Sequence, residues 1–145
     1  MTINEEQYIN EAYELLLKEK DIDCISKEVP ILGRYADLAF LKDNNIYTIE
    51  FKINNCRKAF AQSKDHMLGA DFCYICMPPR IFKDTFLEDL IKMGIGLFTF
   101  NKENNHPFEE IVKARKSKRK FEFAWQNTLN YCLKNSNVTL NDNPI

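Results

Sequence analysis

No apolar run in the chain approaches the roughly 20 residues needed to cross a bilayer, so the sequence predicts no membrane-spanning segment. The opening Met1-Thr2-Ile3-Asn4-Glu5-Glu6 lacks the basic start and apolar stretch of a secretory signal, which points to a cytoplasmic protein. A disulfide framework is missing too. The five cysteines, Cys24, Cys56, Cys73, Cys76 and Cys132, are odd in number and scattered, as expected of reduced thiols. Cys73 and Cys76 do form a C-x-x-C, but inside the apolar run Phe72–Met77. Residues three apart on a strand point to opposite faces, so the pair reads as core and not as a metal clamp. There is no excess of charge of one sign: the net charge is -1, which by itself advertises no nucleic-acid partner. Internal repeats are absent. Residues 1–134 read as a single domain, and the Asn-rich stretch 135–145 as a frayed tail.

What is present is material for a folded core. Hydrophobic residues make up 45% of the chain and aromatic ones 12%, against 28% charged, the balance of a globular protein. The pattern predicts a helix over Asn4–Lys20, capped by Asn4, with Tyr8, Ile9, Ala12, Leu15 and Leu16 on one face. Strands are predicted over Cys24–Ile31, Tyr35–Leu41 and Ile46–Ile53, with the turn residues Lys42-Asp43-Asn44-Asn45 joining the last two into a hairpin. A helix over Arg57–Leu68 follows, closed by Gly69. Next come a buried strand, Phe72–Met77, and a helix over Phe82–Met93 ended by Gly94, with Phe82, Phe86, Leu87, Leu90 and Ile91 inward. The strand Ile95–Phe100 completes the core. After the polar loop Asn101–Pro107 and a basic run, a closing helix is predicted over Phe121–Leu133, carrying Phe121, Trp125, Leu129 and Cys132. The order α-β-β-β-α-β-α-β defines an α/β fold with a central mixed sheet flanked by helices.

Three polar residues sit where a core sheet prefers apolar ones. Asp37 interrupts Tyr35–Leu41, and Glu50 and Lys52 interrupt Ile46–Ile53. The period of two puts Glu50 and Lys52 on one strand face, and the hairpin brings Asp37 opposite Glu50. Two neighbouring buried carboxylates resist joint ionisation. A divalent cation resolves the conflict, because Mg2+ takes one or two carboxylates together with waters and phosphate oxygens. A nearby lysine can orient water or offset charge on a phosphate in the transition state. The alternative is a structural ion pair of Glu50 with Lys52.

The segment Gly33-Arg34-Tyr35-Ala36-Asp37-Leu38-Ala39-Phe40-Leu41, followed by Ile46-Tyr47-Thr48-Ile49-Glu50-Phe51-Lys52, resembles the PD-(D/E)XK nuclease superfamily, whose fold is called restriction-endonuclease-like. The resemblance runs from about Glu5 to Phe100 and includes small nucleases similar to Holliday-junction resolvases. Ala36 stands where the motif name has proline. The resemblance implies that Asp37 and Glu50 bind the metal and that Lys52 is the catalytic lysine. Many members add a glutamate from the first helix. Glu5 fits, on the axis of the apolar face, with Glu6 as competitor and a first-turn dipole role as the alternative. Several branches place a glutamine on the following helix, where Gln62 stands; the alternative is a helix-surface residue. His66 reads as a helix-surface residue.

The resemblance implies a Mg2+- or Mn2+-dependent DNA endonuclease that hydrolyses phosphodiester bonds, its substrate chosen by structure or by a partner. RNA stays open as a substrate. A homodimer would suit cutting of both strands. The rival is a catalytically inactive nuclease fold that binds nucleic acid or assembles a complex. Phosphate contacts are expected from Arg57 and Lys58, and from the run Lys113–Lys120, where six of eight residues are Lys or Arg. In that run Arg115, Lys116, Lys118 and Arg119 are the candidates, unless the run is only a solvated linker.

Overall fold

The computed structural model of the chain describes residues 4–136. Its elements in order are α1 (Glu5–Leu16), β1 (Cys24–Ile31), β2 (Arg34–Lys42), β3 (Asn45–Phe51), α2 (Cys56–His66), β4 (Phe72–Met77), α3 (Asp84–Met93), β5 (Gly96–Phe100), β6 (Phe108–Val112) and α4 (Glu122–Asn135). The six strands form one sheet in the order β1-β2-β3-β4-β5-β6. β1, β2 and β3 pair antiparallel, β3, β4 and β5 parallel, and β6 antiparallel to β5. The protein is therefore an α/β fold, a mixed sheet flanked by four helices. Among the described residues no helix is long and apolar enough to cross a membrane. The frayed tail expected over 135–145 lies outside the described residues from position 137 onward.

Strand alternation sorts the core into two layers. Ile25, Leu38, Phe40, Ile49, Phe51, Tyr74 and Cys76 pack with Tyr8, Ala12 and Tyr13 of α1 on one face. Ile46, Cys73, Ile75, Met77 and Leu97 pack with α2, α3 and α4 on the other. An aromatic row stitches the α1 face together across neighbouring strands. Phe40 stacks on Tyr47 and Tyr47 on Phe72, each with ring centroids 4.9 Å apart, and each pair is also a register pair of the sheet. On the far side a thiol contact of 3.3 Å joins Cys24 of β1 to Cys132 of α4. All five cysteines are free.

Local chemistry accounts for most of the boundaries. Asn4 caps α1 by accepting the Gln7 N–H at 3.2 Å. Gly94 ends α3 in the left-handed conformation, φ 87. Gly69 does not end α2 in that way, because α2 closes at Met67 with right-handed geometry. Its role is close approach: a Cβ there would lie 2.7 Å from Ile31 and 2.9 Å from Thr128. Two further expectations fail. Ile91 is exposed, because α3 turns only Phe86 and Leu90 fully inward. Phe121 is also exposed, since it precedes the first turn of α4. β6 has no counterpart in the sequence reading. Its Phe-Glu-Glu-Ile-Val alternates poorly, and it becomes a strand by pairing with β5, with Phe108 stacked on Phe100.

Candidate active site

The site forms where two strands part. The β2–β3 ladder runs from Lys42↔Asn45 to Leu38↔Ile49 and stops. Beyond it, β2 pairs only with β1, as far as Ile31↔Arg34, while the Lys52 N–H at the end of β3 turns to the Cys76 carbonyl of β4. One step past the last pair, Asp37 and Glu50 are level. The Asp37 carboxylate fills the gap, accepting the Phe51 N–H at 2.8 Å. A main-chain donor that would face a strand partner thus holds an acid in place.

Glu50 is 2% exposed, and its Oε1 has no hydrogen-bond partner among the described residues. Burial, reinforced by the adjacent Asp37 charge, pushes its carboxyl up to about 8, with Lys52 pulling the other way. Asp37 is raised as well, mainly by burial, and the Phe51 N–H and Lys52 offset part of the rise. The Lys52 ammonium lies 3.9 Å from Glu50 Oε2 and 3.7 Å from Glu5 Oε1. Glu5, in the first turn of α1, also accepts the Ile53 N–H at 3.3 Å. The structure therefore brings together Asp37, Glu50, Lys52 and Glu5. Glu6 lines the adjoining groove and makes none of these contacts. That groove, of about 560 Å³, is lined by the carboxylates of Glu5, Glu6, Glu28 and Asp37 against the single ammonium of Lys27. Such a lining repels phosphate unless cations accompany it.

Two site residues escape the sequence reading. His66 is not on the helix surface: it is 1% exposed, its Nε2 3.1 Å from the Tyr35 carbonyl and 4.0 Å from Glu50 Oε1. Burial lowers its imidazole to about 4. The signal was available, since Ala59, Ser63 and His66 recur at helical spacing and are the buried stripe of α2. Glu28 is the second. It adopts φ 52 inside β1, where the register Lys27↔Leu38 and Val29↔Ala36 sets it level with Asp37. A left-handed non-glycine residue within a strand is strained, and no sequence pattern marks it. Gln62 is half-buried on α2, with Oε1 buried and without a hydrogen-bond partner among the described residues.

The basic residues lie apart from the acids. Arg57 pairs with Asp89 at 2.5 Å and Lys58 is exposed in the first turn of α2. The run Lys113–Lys120 is anchored to the N-terminal side of β4 and β5. The Arg115 N–H donates to Gly94 O and its guanidinium to Lys92 O, while the Ser117 N–H donates to Asp71 O. Lys92, Arg115, Lys116, Lys118 and Arg119 surround a hollow of about 500 Å³ with Met67 and Met93. None of these five cations forms an ion pair among the described residues. Glu50 is level with Ile75 on β4, and Asp71 comes four positions earlier, so the two ends lie about 13 Å apart along the strand.

Among the described residues no group of three or more His, Cys, Asp or Glu side chains is placed to hold a metal ion. The candidate ligands are the two carboxylates Asp37 and Glu50. Their chemistry fits an open site for a hard cation that keeps several waters, and the orphaned Glu50 Oε1 is the atom such an ion would satisfy.

A mixed sheet with α1 on one face, α2 to α4 on the other and acids at a strand divergence is compatible with a restriction-endonuclease-like nuclease fold. No family model matches the chain, and no curated protein matches it. Among solved structures it is similar to a repair endonuclease from Pyrococcus abyssi, at 17% identity and a TM-score of 0.50, covering 67% of this chain and 46% of that one. The chain thus spans just under half the length of that neighbour, and at this identity the likeness is one of fold.

Proposed function

We propose that the protein is a metal-dependent nuclease of the PD-(D/E)XK type that hydrolyses phosphodiester bonds in DNA, with Asp37 and Glu50 as ligands of Mg2+ or Mn2+. The observation that carries this reading is Glu50: a buried carboxylate, beside a second one, with an oxygen that nothing among the described residues satisfies. Leaving such a group unmet costs about 1–3 kcal/mol or more, and a cation removes that cost. When bound, a divalent cation supplies positive charge to the phosphodiester and acidifies water. The rest falls to the chain. The Phe51 N–H fixes the orientation of Asp37. Glu5 and Glu50 hold the Lys52 ammonium from two sides. From there it orients the attacking water in line with the scissile bond and offsets the charge that grows on the phosphate oxygens. Arg57 and Lys58, in the first turn of α2, are phosphate contacts. Arg115, Lys116, Lys118 and Arg119 extend the contact along the backbone of the nucleic acid.

The test is direct. The purified protein is incubated with linear, nicked, single-stranded and branched DNA in Mg2+ or Mn2+, and in EDTA. The reading expects cleavage of at least one form in metal, none in EDTA, and none by Asp37→Asn. Cleavage that survives EDTA and Asp37→Asn would refute it.

A further inference from the structure

One loop at the acid end of the sheet has no part in the chemistry of Asp37, Glu50 and Lys52. β3 and β4 run parallel, with Glu50 level with Ile75 and Phe51 with Cys76, and the Lys52 N–H donates to the Cys76 carbonyl at 3.1 Å. The chain therefore leaves β4, after Met77, at the end of the sheet where the three residues stand. Pro78-Pro79-Arg80-Ile81-Phe82-Lys83 then carries it to α3.

Ile81 on this loop is 96% exposed, more than any other large apolar side chain among the described residues. Its neighbours hold it out. Pro78 and Pro79 fix φ at about −65° and stiffen the exit from the strand. Phe82 turns inward, its ring centre 6.0 Å from that of the buried Phe86, and the Arg80 guanidinium lies over the Phe82 ring at 6.0 Å. The loop is anchored by Phe82 and presents Ile81 to solvent.

The charges of the loop itself are of one sign. Arg80 and Lys83 are exposed, and neither forms an ion pair among the described residues. With Arg57, which Asp89 partners, they line a hollow of about 290 Å³ that no carboxylate lines. On the other side of β3 the tip of the β1–β2 hairpin repeats the combination, with Leu32 and Tyr35 exposed around Arg34. An apolar side chain set between cations matches a polymer of stacked apolar rings edged by phosphates. Proteins that insert Ile, Leu, Phe, Met or Pro between base steps use it in this way, with Arg or Lys on the adjoining backbone.

We propose that Ile81 is a wedge that enters a base step of duplex DNA while Arg80 and Lys83 hold the phosphates beside that step. The inference rests on the reading of the acid end as a nuclease centre, and it adds how that centre selects its substrate. Opening a base step costs free energy, least where the stack is already interrupted, so a nicked duplex is preferred to an intact one.

The probe is a short DNA duplex with 2-aminopurine beside a single nick, bound in Ca2+ so that it is not cut. This base brightens when it unstacks. The parent protein is expected to raise the fluorescence and to bind the nicked duplex more tightly than the intact one. Ile81→Ser, at a solvent-exposed position, is expected to lose the rise and to bind the nicked duplex about tenfold more weakly, with its salt dependence unchanged. Ile81→Leu is expected to restore both. Arg80→Gln with Lys83→Gln is expected to lower the slope of log affinity against log salt by about two. Parental fluorescence and affinity in Ile81→Ser overturn the proposal. So does a parent that light scattering shows to be dimeric and that Ile81→Ser makes monomeric with the fluorescence rise kept, because Ile81 would then cover a second copy of the chain. Cleavage in Mg2+ without a fluorescence rise overturns the wedge and leaves the nuclease reading standing. A rise that Ile81→Ser abolishes, in a protein that cuts no DNA, supports the wedge and refutes that reading.

Discussion

Asp71 and Glu50 are both carboxylates of the central sheet, 1% and 2% exposed, and their surroundings differ in kind. Asp71, just before β4, accepts the Ile46 N–H at 2.7 Å and the Trp125 Nε1–H at 2.6 Å, and pairs with the Lys120 ammonium. Its charge is met by the chain, and the result is a clasp that ties β3, α4 and the basic run to one point. Glu50 has an oxygen with no partner among the described residues and, at 3.9 Å, the Lys52 ammonium that it shares with Glu5. Burial alone therefore does not distinguish the acid proposed to hold a cation from a structural one. What distinguishes them is whether the fold completes the hydrogen bonding, and at Glu50 it leaves room for something else to do so.

Exchanging charge for amide at the two positions should separate these roles. Glu50→Gln and Asp37→Asn are expected to lower metal-dependent cleavage by about a hundredfold or more while the metal-free protein stays folded or gains stability, since the repulsion between the acids is gone. Asp71→Asn is expected to do the reverse: about 2–3 kcal/mol less stability in urea unfolding, with cleavage per folded molecule kept. Loss of cleavage in Asp71→Asn at temperatures where it is fully folded would break the contrast.

The acids also predict a pH dependence. The Glu50 carboxyl sits at about 8 in the folded protein, against 4.5 for the unperturbed group. The folded chain thus keeps a proton that the unfolded chain releases, and Glu50 makes metal-free stability fall as pH rises from about 4.5 to about 8. His66 works oppositely: lowered from 6.5 to about 4, it adds stability as pH rises through that window and nothing more above it. Between pH 6.5 and 8 Glu50 acts alone among these two, so metal-free stability should fall by about 1 kcal/mol per pH unit. The slope should flatten in Glu50→Gln. An equal slope in both proteins would assign the titration to another group.

The smallest effect is expected from the basic run, which shares the Asp71 end of the sheet. Changing Arg115, Lys116, Lys118 and Arg119 together to Gln should weaken DNA binding alike for all sequences. It should also flatten the salt dependence measured in Ca2+, because fewer counterions are released. An unchanged slope would restrict the phosphate surface to the vicinity of Arg57 and Lys58.

The contrast between the two acids also shows what could be read in advance. Asp37 and Glu50 were legible because a hairpin has few degrees of freedom: alternation over Tyr47–Phe51 and the Asp43-Asn44 turn set the register, and the register sets the pair. The α1 cap and the Gly94 stop were legible because each depends on a few adjacent residues. The clasp at Asp71 was not, because its partners, Ile46, Lys120 and Trp125, are far apart in the chain. His66 reads as a surface residue because it is a polar side chain on a helix, whereas the buried stripe of α2 is itself largely polar, Ala59, Ser63 and His66. β6 exists only because β5 offers an edge, and the strained backbone of Glu28 leaves no mark in composition. The missed features are those fixed by tertiary contact rather than by local pattern.

Whether Asp37 and Glu50 hold a divalent cation while Asp71 serves the fold can be read from thermal unfolding with increasing Mn2+. A ligand of the folded state alone raises the melting temperature in step with its occupancy, by the equivalent of about 2.7 kcal/mol at a hundred times its dissociation constant. A saturable rise is expected in the parent and in Asp71→Asn, from its lower starting point, and no rise in Asp37→Asn or Glu50→Gln. The same rise in all four proteins would place the cation away from Asp37 and Glu50.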